Sequence, residues 1–193
     1  HQACTTRCHW RQIFPYQRDM GMHINVSSSQ LVHNGLVKHI QDMLSNSQVP
    51  AHCIYLDCPK ASFLKDKKQA IQTSDLCHDL GINLVLDDMK INLFNLNFFF
   101  DFPCVPFRVV KVNGYVAEGV MQENSSILQS VRTFITILAG MGIQMAVKGI
   151  ETREQYQALK DLKFHLGQGY YFAPPLSQTA FEQNWLSAKH EHV

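Results

Sequence analysis

The apolar run Leu84-Val85-Leu86 ends in two adjacent carboxylates, Asp87 and Asp88, and Lys90 follows shortly after. Paired aspartates at the end of a buried strand hold divalent cations, because anionic oxygens replace the water that such an ion gives up. A lysine nearby opposes that ion. The stretch is a metal site, a former metal site or a polar turn. Other polar residues stand at comparable places: Asn25 after "HI", Asp57 and Lys60 after "CIYL", Lys111 and Asn113 in "VVKVNG", Lys148 and Glu151 in "AVKGIE", and Gln168 in "LGQGYYF". Any one of these is an ordinary cap or turn residue. A polar residue at the same end of nearly every strand is a pattern, and it is the pattern of a barrel whose site gathers at the strand C-termini.

The elements that must position these residues alternate. Short apolar runs read as strands at Met22–Val26, Cys53–Leu56, Leu84–Leu86, Phe107–Val112, Ile143–Val147 and near His165–Phe172. Helical spacing lies between them. Leu31, Leu36, Val37, Ile40 and Leu44 mark one helix, and Ala70, Ile71, Leu76 and Leu80 another. Ile127, Leu128, Val131, Ile135 and Leu138 mark a third, closed by Gly140 and Gly142. Tyr156, Leu159 and Leu162 mark a fourth, which begins after Thr152 with Glu154 and Gln155 in its first turn. Strand–helix alternation implies parallel strands joined by crossover helices. The aromatic stretch "NLNFFFDFP" reads as core packing.

Composition narrows the partners. With 193 residues, 46% of them apolar, the chain can bury a sizeable core. A net charge of +1 offers no basic field for a nucleic-acid polymer, and no apolar stretch is as long as a membrane span. Six cysteines do not make a disulfide scaffold at this length, and no signal peptide is visible, so a reduced cytoplasmic setting is expected, alone or as the cytoplasmic part of a larger membrane-bound sensor. Cys4 and Cys8 lie one helical turn apart beside His9. No CxxC or HxxxH completes a zinc site with them, and they read as helix residues.

Five segments together resemble the EAL domains, metal-dependent phosphodiesterases of cyclic di-GMP. "AVKGIETREQYQALKDLKFHLGQGYYFAPPL" resembles the family's "AEGVET..Q...L..LG.....GQGY.FS.PL". "HINVSSSQL" resembles "VNLS..QL", "NLVLDDM" resembles "LALDDFG", "RVVKVNGYV" resembles "LKID..FV", and "IYLDCPKASFLKD" sits where "LELTES.L..D" belongs. Order and spacing agree across almost the whole chain. The resemblance implies an α/β fold, a (β/α)₈ TIM-type barrel. It is expected to be incomplete here: the segment bearing Glu-Ala-Leu, with the first strand and helix, precedes the helix that "ACTTRCHWRQ" resembles. Residues 1–193 then form a single degenerate EAL-like domain, the C-terminal part of a longer one; a full barrel takes roughly 250 residues.

The resemblance also implies roles. Asn25, Asp87 and Asp88 stand where family metal ligands stand, Lys111 where a lysine orients the attacking water, Glu151 at the second acid of EGVE, and Gln168 near the second metal. The departures are equally specific. Lys60 replaces the glutamate of TES, Lys148 the first glutamate of EGVE, and Asn113 the aspartate of KID. Met89-Lys90 replaces Phe-Gly, and Pro174 stands where an arginine often precedes Pro-Leu. Two unit charges about 4 Å apart at an effective dielectric of 20 interact by about 4 kcal/mol, and a dication doubles that. Two lysines in place of two carboxylates therefore turn attraction into repulsion. Lys60 and Lys148 are expected to pair with Asp87, Asp88 or Glu151 in place of metal. The expected function is a non-catalytic regulatory domain in bacterial cyclic di-GMP signalling, working through a protein partner or dimer, or by sensing cyclic di-GMP, with no cofactor. The alternative is an active phosphodiesterase that uses Mg2+ or Mn2+ and yields linear pGpG.

Overall fold

A computed structural model describes residues 2–17, 19–121 and 125–187, with the main chain alone at 93, 94 and 125. Residue 1 and residues 188–193, at the ends of the expected domain, lie outside the described part. Six strands form one parallel sheet in sequential order: β1 (Met22–Asn25), β2 (Ile54–Pro59), β3 (Asn83–Met89), β4 (Phe107–Val112), β5 (Gln144–Lys148) and β6 (Leu166–Gln168). The sheet curls into an open half-barrel. Among the described residues no ladder joins β6 back to β1.

The central strands β2 to β5 carry apolar runs that are buried on both faces. Outward-facing Leu56, Cys58, Leu84, Leu86, Val110, Val112, Met145 and Val147 pack under the crossover helices. These include α3 (Leu36–Ser47), α5 (Lys67–Asp79), α6 (Leu93–Asp101), α8 (Ser125–Gly140) and α9 (Arg153–Asp161). Phe63, Phe98, Phe102 and Phe107 make edge and tilted ring contacts in this outer core; within "NLNFFFDFP" the buried Phe98, Phe99 and Phe102 take the expected packing role, while Phe100 is exposed. Inward-facing Val85, Val109 and Ala146 form a second, small apolar layer with Tyr55 against it. Strand period two places the next inward residues, Asp57, Asp87, Lys111 and Lys148, one step nearer the strand C-termini. The barrel interior is therefore apolar below and charged above.

Two expectations shift. The helix expected across Leu31–Leu44 is broken into α2 (Ser28–Leu31) and α3. Asn34-Gly35 makes a turn between them, where the Gly35 N–H donates to His33 Nδ1. The last strand stops at Gln168, far short of Phe172. A Cβ on Gly169 would lie 2.0 Å from the Ile150 carbonyl oxygen, so only glycine fits there. The chain then turns, and the Tyr171 N–H donates back to that same carbonyl. At α9 the signal holds in full: Thr152 and Gln155 form a reciprocal capping box.

The open side has its own furniture. Helix α1 (Gln2–Ile13) and the short C-terminal helix α10 (Gln178–Phe181) meet there, with Trp10 Nε1 donating to Glu182 Oε1 at 2.6 Å. A groove of about 730 Å³ runs between them and the edges of β1 and β6, lined by Trp10, Met22, Phe172, Pro174, Phe181 and Trp185 among others. No helix among the described residues is long and apolar enough to cross a membrane.

Candidate functional site

A cavity of about 630 Å³ opens at the C-terminal ends of the strands. Every strand contributes to its wall: His23 and Asn25 from β1, Asp57 from β2, Asp87 from β3, Lys111 from β4, Ala146 and Lys148 from β5, and Gln168 from β6. The ladder explains the convergence. Asn25 is in register with Asp57, Lys111 with Ala146, and Lys148 with Gln168, so the same pleat faces inward on each pair.

Two internal ion clusters occupy this wall. Asp57, only 5% exposed, accepts from Lys111 Nζ at 2.5 Å on one oxygen and lies 2.8 Å from His23 Nδ1 on the other. The His23 ring stacks on Tyr55 with centroids 4.7 Å apart. Burial alone would raise the Asp57 carboxyl, but the bonds from His23 and Lys111 outweigh it and hold the group below the ordinary carboxylate range. Lys148 makes the second cluster. Its Nζ lies 2.6 Å from Asp88 Oδ1 and 2.7 Å from Asp87 Oδ1. The contact to Asp87 is a close ion pair without good hydrogen-bond angles, since that oxygen has no aligned donor. Partial burial would lower the Lys148 ammonium, yet its two carboxylate partners raise it above the usual lysine value.

Local backbone puts the aspartates where Lys148 can reach both. Between Leu86 and Met89 the β3–β4 ladder slips by a residue, and Asp88 in that bulge has φ 57°. The bulge turns Asp88 out of strict alternation, so adjacent carboxylates face one cation. The loop beyond it is clamped from both sides. Lys60 Nζ donates to Asn95 Oδ1 at 2.6 Å, and Asn95 Nδ2 donates to the Lys90 carbonyl at 2.7 Å. From the other side, the Tyr115 hydroxyl bonds the Ile91 main chain.

The sequence-predicted residues thus divide. Asn25, Asp87, Lys111, Lys148 and Gln168 share the cavity, and Asp88 reaches it through Lys148. Lys60 does not: it opens α4 (Lys60–Lys65) directly after the strand, and its ammonium goes to Asn95 and lies 5.5 Å from the Phe98 ring centre. The expected pairing of Lys60 with Asp87, Asp88 or Glu151 is therefore corrected. Lys60 has the outward parity of Leu56 and Cys58, so strand alternation already turns it away from the cavity before the helix begins. Glu151 is exposed, outside the cavity wall, and its N–H donates to Gln155 Oε1. Pro174 lines the apolar groove instead. His23 and the central role of Asp57 were missed. The period-two spacing of Tyr55 and Asp57 was the available signal for the second; His23 carried none.

A two-dication site does not fit this donor set. Lys111 and His23 each engage one oxygen of Asp57, and the Lys148 ammonium lies between Asp87 and Asp88, where it pairs with the carboxylates that an ion would need. What remains is an almost self-neutralised polar pocket.

The curled parallel sheet with a polar rim at its strand C-termini defines a TIM-barrel-like α/β fold, and comparison with known proteins gives the family. The EAL domain model matches residues 1–175, and the chain belongs to the EAL domain family. Rv1357c, an uncharacterized protein of Mycobacterium tuberculosis H37Rv, is 26% identical over 185 residues, which cover 94% of this chain and 59% of the relative. Rv1354c from the same strain is 24% identical over 188 residues, 97% of this chain and 29% of the relative. The chain thus spans about three fifths, or less, of these relatives. Among solved structures, the EAL enzyme Bd1971 bound to cAMP and cyclic di-GMP superposes with TM-score 0.84 at 21% identity, covering 94% of this chain and 49% of that one. The EAL domain of Mycobacterium smegmatis DcpA gives 0.83 at 21% identity, covering 94% and 79%. At such identities the likeness establishes the fold. The family is one of cyclic di-GMP signalling.

Proposed function

We propose that the chain is a non-catalytic EAL-like domain that acts in cyclic di-GMP signalling as a regulator, through a protein partner and in the cytoplasm. The observation that supports this most is Lys148 seated between Asp87 and Asp88 at 2.7 and 2.6 Å. A cation paired with both carboxylates competes directly with any divalent ion, and hydrolysis of this family's kind needs such ions to hold water and neutralise developing charge. The Asp57–Lys111–His23 cluster adds to the same reading, because it ties up a further carboxylate and the lysine that the resemblance assigns to the attacking water.

A second reading has its own support. Asn25, Asp87, Lys111 and Gln168 still face one cavity, and Lys148 is a quarter exposed, so its side chain can swing to solvent. On that reading the domain hydrolyses cyclic di-GMP with Mg2+ or Mn2+, or senses the nucleotide; the FimX EAL domain of Xanthomonas citri, TM-score 0.75 at 14% identity, was solved in complex with c-di-GMP. Calorimetric titration with cyclic di-GMP, with and without magnesium, and a turnover assay separate the readings. The regulator reading predicts no turnover and no tight magnesium binding. Hydrolysis by the unmodified chain would overturn it.

A further inference from the structure

At the opposite end of the strands, three side chains of different chemistry converge. Asp19 lies just before β1, and His52 and Cys53 close the single 3₁₀ turn Ala51–Cys53 that leads into β2. One carboxylate oxygen, one ring nitrogen and the Cys53 sulfur all lie within 4.8 Å of one another. Asp19 Oδ1 and His52 Nε2 are 3.7 Å apart, too long for a hydrogen bond. With zinc–oxygen and zinc–nitrogen bonds of about 2.0 to 2.1 Å, neighbouring ligands of a tetrahedral ion sit roughly 3.4 Å apart. We propose that Asp19, His52 and Cys53 form a binding site for a borderline-soft divalent cation of the zinc type, with solvent as fourth ligand.

The donor set is one that zinc accepts, sulfur, imidazole and carboxylate, whereas magnesium prefers oxygen alone. The surroundings give both access and anchorage. Asp19 and His52 are exposed and can close the remaining distance by rotation, while Cys53 is fully buried at the base. The turn is fixed from both ends: the Cys53 N–H donates to the Pro50 carbonyl, and Asn83 Nδ2 donates to the His52 carbonyl at 2.7 Å. Arg7 approaches from α1, with Nη2 3.9 Å from Sγ. Its guanidinium also donates to the Met20 and Gln17 carbonyls at 2.8 and 3.0 Å. It differs from Lys148, whose ammonium is bonded directly between two carboxylates. An N–H at 3.9 Å acts on the sulfur as an outer-shell donor of the kind that orients metal ligands. An ion here would staple the approach to β1 onto the start of β2. Four residue steps along the strand, about 13 Å, separate Cys53 from Asp57, so this site is independent of the cavity.

Cobalt(II) is the probe, because a cysteine thiolate bound to it gives a near-ultraviolet charge-transfer band. One equivalent should produce that band, and zinc should displace it and raise the melting temperature. Cys53→Ser should abolish the band. The surface changes His52→Gln and Asp19→Asn, which leave the core untouched, should each weaken cobalt at least tenfold and remove the zinc-induced melting shift. Cys4→Ser and Cys8→Ser should leave both intact. No band in the unmodified chain, a band that survives Cys53→Ser, or affinity unchanged in His52→Gln and Asp19→Asn would each overturn the site; were Cys53→Ser not to fold, the two surface variants decide.

Discussion

Replacing Lys148 with glutamate should convert the cavity from a site that rejects divalent cations into one that takes them. In the unmodified chain the ammonium pairs with Asp87 and Asp88 at 2.7 and 2.6 Å and offsets one of their two charges. Lys148→Glu changes the local charge by two units toward negative. A dication about 4 Å from a unit charge at an effective dielectric of 20 gains or loses about 8 kcal/mol, so the gross swing is roughly twice that. Ion dehydration and solvent screening at a quarter-exposed group offset most of it. A net gain of about 2 to 4 kcal/mol, roughly thirty- to a thousandfold in Kd, is the expected remainder. The variant should also lose about 3 kcal/mol of stability without metal, because the half-buried Asp87 faces a new like charge, and should recover it as Mn2+ is added. Titration calorimetry with Mn2+ and Mg2+, alongside urea unfolding with and without metal, reads both effects. Lys60→Glu is the matched control: its ammonium is bound to Asn95 outside the cavity, so metal affinity should stay within about twofold of the unmodified chain, a difference under half a kcal/mol. Unaltered affinity in Lys148→Glu, or tight Mg2+ binding by the unmodified chain, would refute the electrostatic reasoning.

Asp57→Asn should cost about 3 kcal/mol in urea unfolding, since Lys111 would be left buried without its counter-ion. The same pair sets a sign for pH. The folded Asp57 carboxyl titrates below its unfolded value of about 3.9, so its contribution is present above that pH and is lost as acid carries the solution down through the folded value. Lys148 works the other way: its contribution is full below about pH 10.4 and is lost as pH rises through the higher folded value, which unfolding at graded alkaline pH would show. Tyr115→Phe removes the hydroxyl that bonds the Ile91 main chain and should cost about 1 to 2 kcal/mol, with faster amide exchange confined to the loop after β3. Gly169→Ala should destabilise by about 3 kcal/mol or more, because its Cβ would strike the Ile150 carbonyl, and thermal unfolding checks it.

What could be read from the sequence follows from what each residue's type constrains. The central strands were legible because a strand buried on both faces is an apolar run, and Leu84-Val85-Leu86 is buried at every position. The start of α9 was legible because Thr152 and Gln155 carry their own reciprocal bonds. The short last strand was not, since its end is set by the approach of Gly169 to Ile150, a contact between segments. Lys148 could be placed against the aspartates because it ends a strand and stays on the inward pleat. Lys60 has the opposite parity, that of outward-facing Leu56 and Cys58, and it opens a helix, so its charge goes to Asn95 instead. His23 could not be found by type or spacing, because only the parallel register of β1 with β2 brings it to Asp57.

The sequential order of the strands bears on how the chain is made. Each strand pairs with the one just before it in sequence, so every new ladder closes over one crossover of one or two helices and no pairing waits for a distant partner. A chain emerging N-terminus first can add one strand at a time to a growing sheet, with each helix covering the outer face as it follows. At every stage the newest strand is an unpaired edge, as β1 is at the other side, and such an edge can capture another chain. The newest edge moves along with synthesis from β1 toward β6, and any protection the nascent protein needs there must move with it.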